Sequence, residues 1–243
     1  MRSGVCGGQA VVLRLPAHLA VPDRRWQAER MRITHIGHAC LLVETAGARI
    51  LIDPGTLATD WWTLTDLDAV LVTHAHPDHV DEERLPLLLA ANEGAQLLTE
   101  PELAAEMVKV GWAASPVHAG DHVEVAGVGI RAVGGRHAVI HDDIPRIGNV
   151  GFVVEGAGEP VLFHPGDAYD TAPDGVDVLA VPLHAPWAAS KETVEFTRAV
   201  APGLAIPVHD GLLTPTGRAF YLGQLELGHT EVRDLAGAGA VKL

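Results

Sequence analysis

From residue 31 onward, short apolar runs alternate with Gly-bearing turns. RITHI (32–36), CLLVET (40–45) and ARILID (48–53) are β-prone and are separated by GHA and AGA, which predicts three successive strands. DAVLVT (68–73) is almost wholly apolar, as a strand buried on both faces would be. DEERLPLLLAANEG (81–94) has helical spacing and ends at Gly94, and its acidic residues are expected to form the first turn. AQLLT (95–99) returns to strand, and PELAAEMVKVG (101–111) predicts a helix opening on Pro101 and stopping at Gly111. Two hairpins follow, DHVEVAGVGIRAVGG (121–135) and NVGFVVEGAGEPVLFHPGD (149–167), the second turning at GAGE. VDVLAVPLH (176–184) and GLAIPVHDG (203–211) read as core strands on either side of a helix over SKETVEFTRAVAP (190–202). HTEVRDLAGAG (229–239) reads as a short closing helix. Strands grouped in each half, with helices interspersed, imply two sheets packed face to face with helices outside.

Residues 1–30 lack this rhythm. The segment bears arginines and an irregular apolar pattern, without the compact apolar core and small-residue cleavage site of a signal peptide. It is read as an N-terminal extension, with disorder or an upstream translation start as its two accounts. The folded domain then covers 31–243. A chain of 243 residues that is 48% hydrophobic suffices for one large domain.

Charge and cysteine content narrow the setting. The formal net charge is −14, and no Lys/Arg cluster follows residue 32, which argues against nucleic acid and anionic membrane as partners. A small molecule is the expected substrate. No apolar run reaches the length of a membrane span. Of two cysteines, Cys6 and Cys40, the second sits in an apolar strand and reads as a buried thiol, which fits a reducing, cytoplasmic setting. Oligomeric state has no signal in the sequence.

The 14 histidines are the compositional anomaly, and they concentrate in VLVTHAHPDHVDEE (70–83). His74 and His76 are two apart on an extended segment, so both can point to one side and grip one ion. Asp78 and His79 cannot crowd onto that same ion and fit a second one nearby. Pro77 stiffens the turn between the pairs. Imidazole and carboxylate together suit Zn²⁺, with Mn²⁺ or Fe²⁺ as alternatives. Further ligands should lie at the ends of later apolar strands, where a rigid sheet presents chemistry. His137 in GGRHAV, Asp167 in FHPGDA and His209 in IPVHDG share that context.

In this order the motifs resemble those of the metallo-β-lactamase superfamily: Asp53 after an early strand, the H-x-H-x-D-H turn, a lone His, a lone Asp and a final His, spanning about residues 31 to 215. The opening ITHIGHACLLVET…ILIDPG is similar to the branch holding ascorbate-phosphate lactonase-like proteins, N-acyl phosphatidylethanolamine phospholipase D and many uncharacterised metal-dependent hydrolases. The resemblance implies a four-layer αββα sandwich of α+β class with two divalent ions at one edge. It places His74, His76 and His137 on the first ion and Asp78, His79 and His209 on the second, with Asp167 bridging and Asp53 orienting ligands by hydrogen bonds. Two ions about 3.5–4 Å apart lower the pKa of a shared water from ~15.7 toward about 7. The implied reaction is attack by that metal-bound hydroxide on an ester, lactone or phosphodiester of a small molecule, and Asp78 or Asp167 would relay the proton.

Around this set stand residues with two readings each. His38 either approaches the site or merely serves the Gly37 turn. His184 is a candidate substrate contact or strand-end packing. Arg136, with His141 and Arg146, surrounds the third-ligand loop and either meets an anionic group of the substrate or is exposed charge. Trp61 and Trp62 line an apolar wall or seal the sandwich edge. VPLHAPW departs from the Gly-rich segment expected of close relatives. Rival functions are a phosphodiesterase or nuclease on the same fold, a di-iron redox protein, which His76 disfavours where such proteins carry Glu, and a metal-stabilised binding protein without catalysis.

Overall fold

Two-residue periodicity decides which face each strand buries. In β1 (Arg32–Gly37), β2 (Cys40–Thr45) and β3 (Ala48–Ile52), Ile33, Leu41, Val43, Ile50 and Ile52 enter one apolar cluster, while Cys40, Leu42 and Leu51 enter another on the opposite face. The computed structural model describes residues 31–243, so the expectation for residues 1–30, Cys6 included, lies outside the described residues.

One seven-stranded sheet runs β14-β1-β2-β3-β4-β5-β6, with β4 (Ala69–Val72), β5 (Gln96–Thr99), β6 (Ala114–Pro116) and β14 (Ala240–Lys242). The other runs β13-β12-β11-β10-β9-β8-β7. Its members are β7 (His122–Val125), β8 (Val128–Arg136), β9 (Gly148–Glu155), β10 (Leu162–His164), β11 (Val178–Pro182), β12 (Leu204–Val208) and β13 (Glu231–Val232). Each sheet is antiparallel in one half and parallel in the other, so the carboxyl ends of β3, β4, β10, β11 and β12 can open their loops along one edge.

Three apolar clusters correspond to the three interfaces of the αββα sandwich. Ile33, Leu71, Phe152, Ile206 and their neighbours fill the space between the sheets. Leu42, Val70 and Val72 pack beneath α1 (Leu85–Ala91) and α2 (Pro101–Lys109), which contribute Leu85, Leu88, Leu103 and Met107. Val153, Leu179 and Val181 pack beneath α3 (Ser190–Val200) and α4 (Pro215–Leu225), which contribute Phe196, Val200 and Leu225. No helix among the described residues is long and apolar enough to cross a membrane.

Two local expectations are corrected. The acidic Asp81–Glu83 run does not form the first turn of α1. Instead Asp81 Oδ1 accepts from the backbone N–H of Glu83 and Arg84, making a turn ahead of the helix. The closing helix over 229–239 is absent: Glu231–Val232 pairs with β12, and Ala240–Lys242 pairs with β1. Two open sheet edges thus outweigh a weak local helical tendency. Helix α4 has no counterpart among the predicted elements because Gly217 and Gly223 blunt its pattern, although Pro215 at its start, with Thr214 Oγ1 accepting from Gly217 N–H, marks the cap. Trp61 is buried in the cluster beneath α1 and donates its indole N–H to Gly55 O, so it seals the sandwich edge.

Candidate metal centre

At the carboxyl end of β4 the chain turns through His74, His76, Asp78 and His79, with His79 N–H and Val80 N–H both donating to His76 O. Across from it, His137 follows β8, Asp167 follows β10 and His209 follows β12. These seven residues and His38 come together as two groups, within each of which the ligand-capable atoms lie within 4.8 Å of one another: His74, His76, His137 and Asp167, and His38, Asp78, His79 and His209. Asp167 touches both groups. Its Oδ1 is 3.2 Å from His79 Nε2, and its Oδ2 is 3.4 Å from His137 Nε2 and 3.3 Å from His209 Nε2.

Hydrogen bonds fix the tautomers. His79 Nδ1–H donates to Asp53 Oδ2 at 2.7 Å, His137 Nδ1–H to Ala138 O at 2.7 Å and His209 Nδ1–H to His184 O at 2.7 Å. Thr73 spends its hydroxyl proton on Asp53 Oδ2, so the contact at 2.9 Å has His74 Nδ1–H donating to Thr73 Oγ1. In the neutral form of each of these rings the lone pair is therefore on Nε2. His38 is different. Its Nδ1 accepts from Gly211 N–H, so Nε2 bears the proton and donates to Asp78 Oδ2 at 3.0 Å. In this state His38 orients Asp78 and offers no lone pair of its own.

Buried atoms without partners test whether a cation fits. His79 Nε2, His137 Nε2, His209 Nε2 and Asp167 Oδ1 are buried and make no hydrogen bond, although they lie close together. Leaving four polar atoms orphaned at one spot costs about 1–3 kcal/mol each. Three neutral imidazole lone pairs and a carboxylate oxygen are the donor set that a divalent ion takes.

The charges agree. Burial would raise the Asp167 carboxyl, yet His79, His137 and His209 hold it well below the ordinary range. Burial alone would lower His79, but the Asp167 and Asp53 carboxylates on either side hold it well above its ordinary value, and Asp167 likewise raises His209. Burial, with neighbouring His79, pushes His74 well down. Asp78 is lowered to about 2: burial opposes this, but the His38 hydrogen bond and His79 prevail.

Three residues of the site have strained backbone. His38 (φ 51°), Asp53 (φ 48°) and His209 (φ 59°) all occupy the left-handed region, which costs a non-glycine residue about 1–3 kcal/mol. His38 O accepts from His209 N–H at 2.8 Å, locking two of the three together. Asp53 is fully buried and also accepts from Thr73 N–H at 2.8 Å.

Of the remaining candidates, His184 supplies its carbonyl to His209, and its ring lies 4.8 Å from Tyr221. Arg136 forms an exposed ion pair with Glu102 at 3.1 Å, while Arg146 Nε–H donates to His137 O at 2.7 Å and steadies that loop. His164 donates to Ala39 O and accepts from Gly166 N–H, which satisfies both ring nitrogens.

Two residues at the site escaped the sequence reading. Trp187 donates its indole N–H to Asp167 Oδ2 at 2.8 Å, from the APW segment that departs from a Gly-rich pattern. Asn149 Oδ1 accepts from Asp167 N–H at 3.0 Å while Nδ2 donates to Pro165 O, which shapes the turn that presents Asp167. A buried Asn at the start of an otherwise apolar strand was the available signal; for Trp187 only the departure itself was.

The family model described as "Beta-lactamase superfamily domain" matches residues 32–209. Protein Rv0786c of Mycobacterium tuberculosis is 44% identical over 213 residues, covering 87% of this chain and 99% of that protein. The UPF0173 metal-dependent hydrolase MK1542 of Methanopyrus kandleri is 31% identical over 202 residues, covering 76% of this chain and 86% of that protein. Among solved structures, Igni18, a metallo hydrolase from Ignicoccus hospitalis, superposes with a TM-score of 0.68 at 20% identity, covering 88% of this chain and 98% of that one; at this identity the likeness speaks for the fold alone. The chain belongs to the metallo-β-lactamase superfamily and, within it, to the UPF0173 family of metal-dependent hydrolases.

Proposed function

We propose that this chain is a dinuclear hydrolase acting on an ester, lactone or phosphodiester bond of a small molecule. His74, His76 and His137 would hold one divalent ion and Asp78, His79 and His209 the other, with Asp167 between them. The observation that carries this reading is the set of buried, unpartnered Nε2 atoms of His79, His137 and His209 facing Asp167 Oδ1. Divalent ions there, zinc first with manganese or iron as alternatives, would supply Lewis-acid polarisation and a water acidified to a pKa of about 7.

The chain's own residues do the rest. Asp53 and the carbonyls of Ala138 and His184 hold the tautomers of His79, His137 and His209, so that each ring would present Nε2 to an ion. His38 aims Asp78, and Asp78 and Asp167 would be the carboxylates beside the reacting group that relay its proton. Trp187 would fix the orientation of Asp167 through its indole N–H.

A panel of lactones, thioesters, phosphodiesters and β-lactams, run on protein with its metals quantified, tests the reading. Turnover should vanish on chelation and return with Zn²⁺ or Mn²⁺. Undiminished turnover by metal-free protein would sink it.

Trp187→Phe keeps the aromatic contacts to Tyr169 and His137 but removes the N–H that reaches Asp167. Metal affinity is expected to fall roughly 10–100-fold, as for other partners of ligands. An unchanged Zn²⁺ titration would count against a role for that bond.

Metal uptake should also release protons. In the metal-free protein the Asp167 and Asp53 carboxylates raise the pKa of His79, and Asp167 raises that of His209, against the effect of burial, so an incoming ion competes with protons for both rings. Apparent affinity should therefore rise with pH until both rings are neutral. Calorimetric Zn²⁺ titrations at several pH values, each in two buffers of different ionisation enthalpy, measure this directly, and an affinity that does not change with pH would contradict it.

A further inference from the structure

The turn that carries His209 is gripped from outside by one arginine. Arg218 projects from α4, and its Nε–H donates to Asp210 Oδ2 at 2.6 Å. Its two terminal nitrogens donate to the two oxygens of Asp234 at 2.5 and 2.7 Å. Asp210 is the residue after His209. Asp234 lies between β13 and β14 and is itself anchored by Ala236 N–H. The Arg218 and Asp210 side chains are 19% and 10% exposed, so the arm of the clamp next to His209 is shielded from competing water, while Asp234, 40% exposed, forms its outer arm.

His209 has reason to be held. It adopts the left-handed backbone conformation at a strand end, which is uncommon for any residue but glycine. On its inner side the restraint comes from His38, whose carbonyl accepts from His209 N–H and whose Nδ1 accepts from Gly211 N–H. On its outer side it comes from Arg218. A planar guanidinium can donate to two carboxylates at fixed angles at once, which a lysine ammonium cannot reproduce.

We propose that Arg218 is a positioning residue for His209: by clamping Asp210 to Asp234 it fixes the turn in which His209 Nε2 faces Asp167, and so sets the affinity of that cluster for its ion. The inference rests on the reading of His209 as a metal ligand, and its test separates the two.

Zn²⁺ titrations of the full-length metal-free protein against a chromophoric chelator give two stepwise affinities, and His209→Ala and His137→Ala assign the steps. Arg218→Met is expected to weaken the His209 step about 10–100-fold and to leave the His137 step within about twofold. Arg218→Lys, which keeps the charge but not the fork, should lose most of the same affinity. Asp210→Asn should reproduce the loss and add nothing further in the Arg218→Met background, because both changes break one interaction. If Arg218→Met does not fold, the near-isosteric Asp210→Asn carries the test. Melting temperatures of the metal-free variants distinguish positioning from general support. Equal weakening of both steps in parallel with a lowered melting temperature would overturn the proposal, and so would an unchanged His209 step. If His209→Ala leaves both steps of the native protein intact, the ligand assignment itself fails and the positioning role falls with it.

Discussion

Asp167→Asn is expected to abolish turnover and cut bound metal while leaving the fold in place. Asparagine keeps the shape of the side chain, and its backbone N–H still reaches Asn149 Oδ1. What it loses is the negative charge that stands 3.2–3.4 Å from the Nε2 atoms of His79, His137 and His209. An amide oxygen is a weaker ligand, and an amide nitrogen turned into the cluster would repel a cation. Electrostatic stabilisation by paired ions is worth several kcal/mol, and each 1.36 kcal/mol is a factor of ten, so a loss of about 10³-fold or more in rate follows. Metal analysis of purified variant, beside rates on any substrate that the panel identifies, checks both halves. Full metal content with undiminished turnover would refute the bridging role of Asp167.

Gly55→Ala is expected to have the largest effect on stability of any single methyl group added near the site. A Cβ at residue 55 would lie 1.8 Å from Asp78 O, 2.0 Å from Asp78 C and 2.6 Å from His79 N. Those are backbone atoms of the ligand turn, so no side-chain rotation can relieve the overlap. Nor can the two segments readily separate. Thr56 N–H donates to Pro77 O, Asp81 N–H to Pro54 O and Trp61 Nε1–H to Gly55 O. Overpacking of this kind costs about 3 kcal/mol, at the upper end for inserted methyl groups. That corresponds to a fall of roughly 10 °C in melting temperature for a domain of this size. Gly94→Ala is the control, since a Cβ there meets nothing within 4 Å. Thermal denaturation of both variants with metal bound decides the matter; a Gly55→Ala protein as stable as the control would refute the close approach.

How much of this was legible in the sequence depended on whether the information was local. Alternation along residues 40–52 places Leu41, Val43, Ile50 and Ile52 on one face and Leu42 and Leu51 on the other, because the pleat converts parity directly into burial. The H-x-H-x-D-H turn was legible because its four polar groups are adjacent, and His137, Asp167 and His209 because each ends an apolar run. The structure brings all seven together. What stayed hidden depends on contacts between distant segments. Nothing within APW tells that Trp187 will meet Asp167, and nothing within GLLTPTGR tells that Arg218 will clamp Asp210 to Asp234. His38 was ambiguous for the same reason: its role turns on Gly211, far along the chain, taking its Nδ1 lone pair. The closing segment was misread because edges of both sheets, invisible locally, recruit it as strands.

Each of the two ligand groups spans both sheets: His74, His76, Asp78 and His79 extend from one, and His137, Asp167 and His209 from the other. Any ion held there is a reversible rivet through the sandwich. Ligands that bind only the folded chain stabilise it by RT ln(1 + [L]/Kd), about 4 kcal/mol at a thousandfold excess over Kd. The lifetime of this protein against proteases would then follow the free-metal supply of its surroundings, so that scarcity of the ion would thin the enzyme population as well as idle it. Limited proteolysis with and without a chelator would reveal that link, and equal cleavage rates in the two conditions would break it.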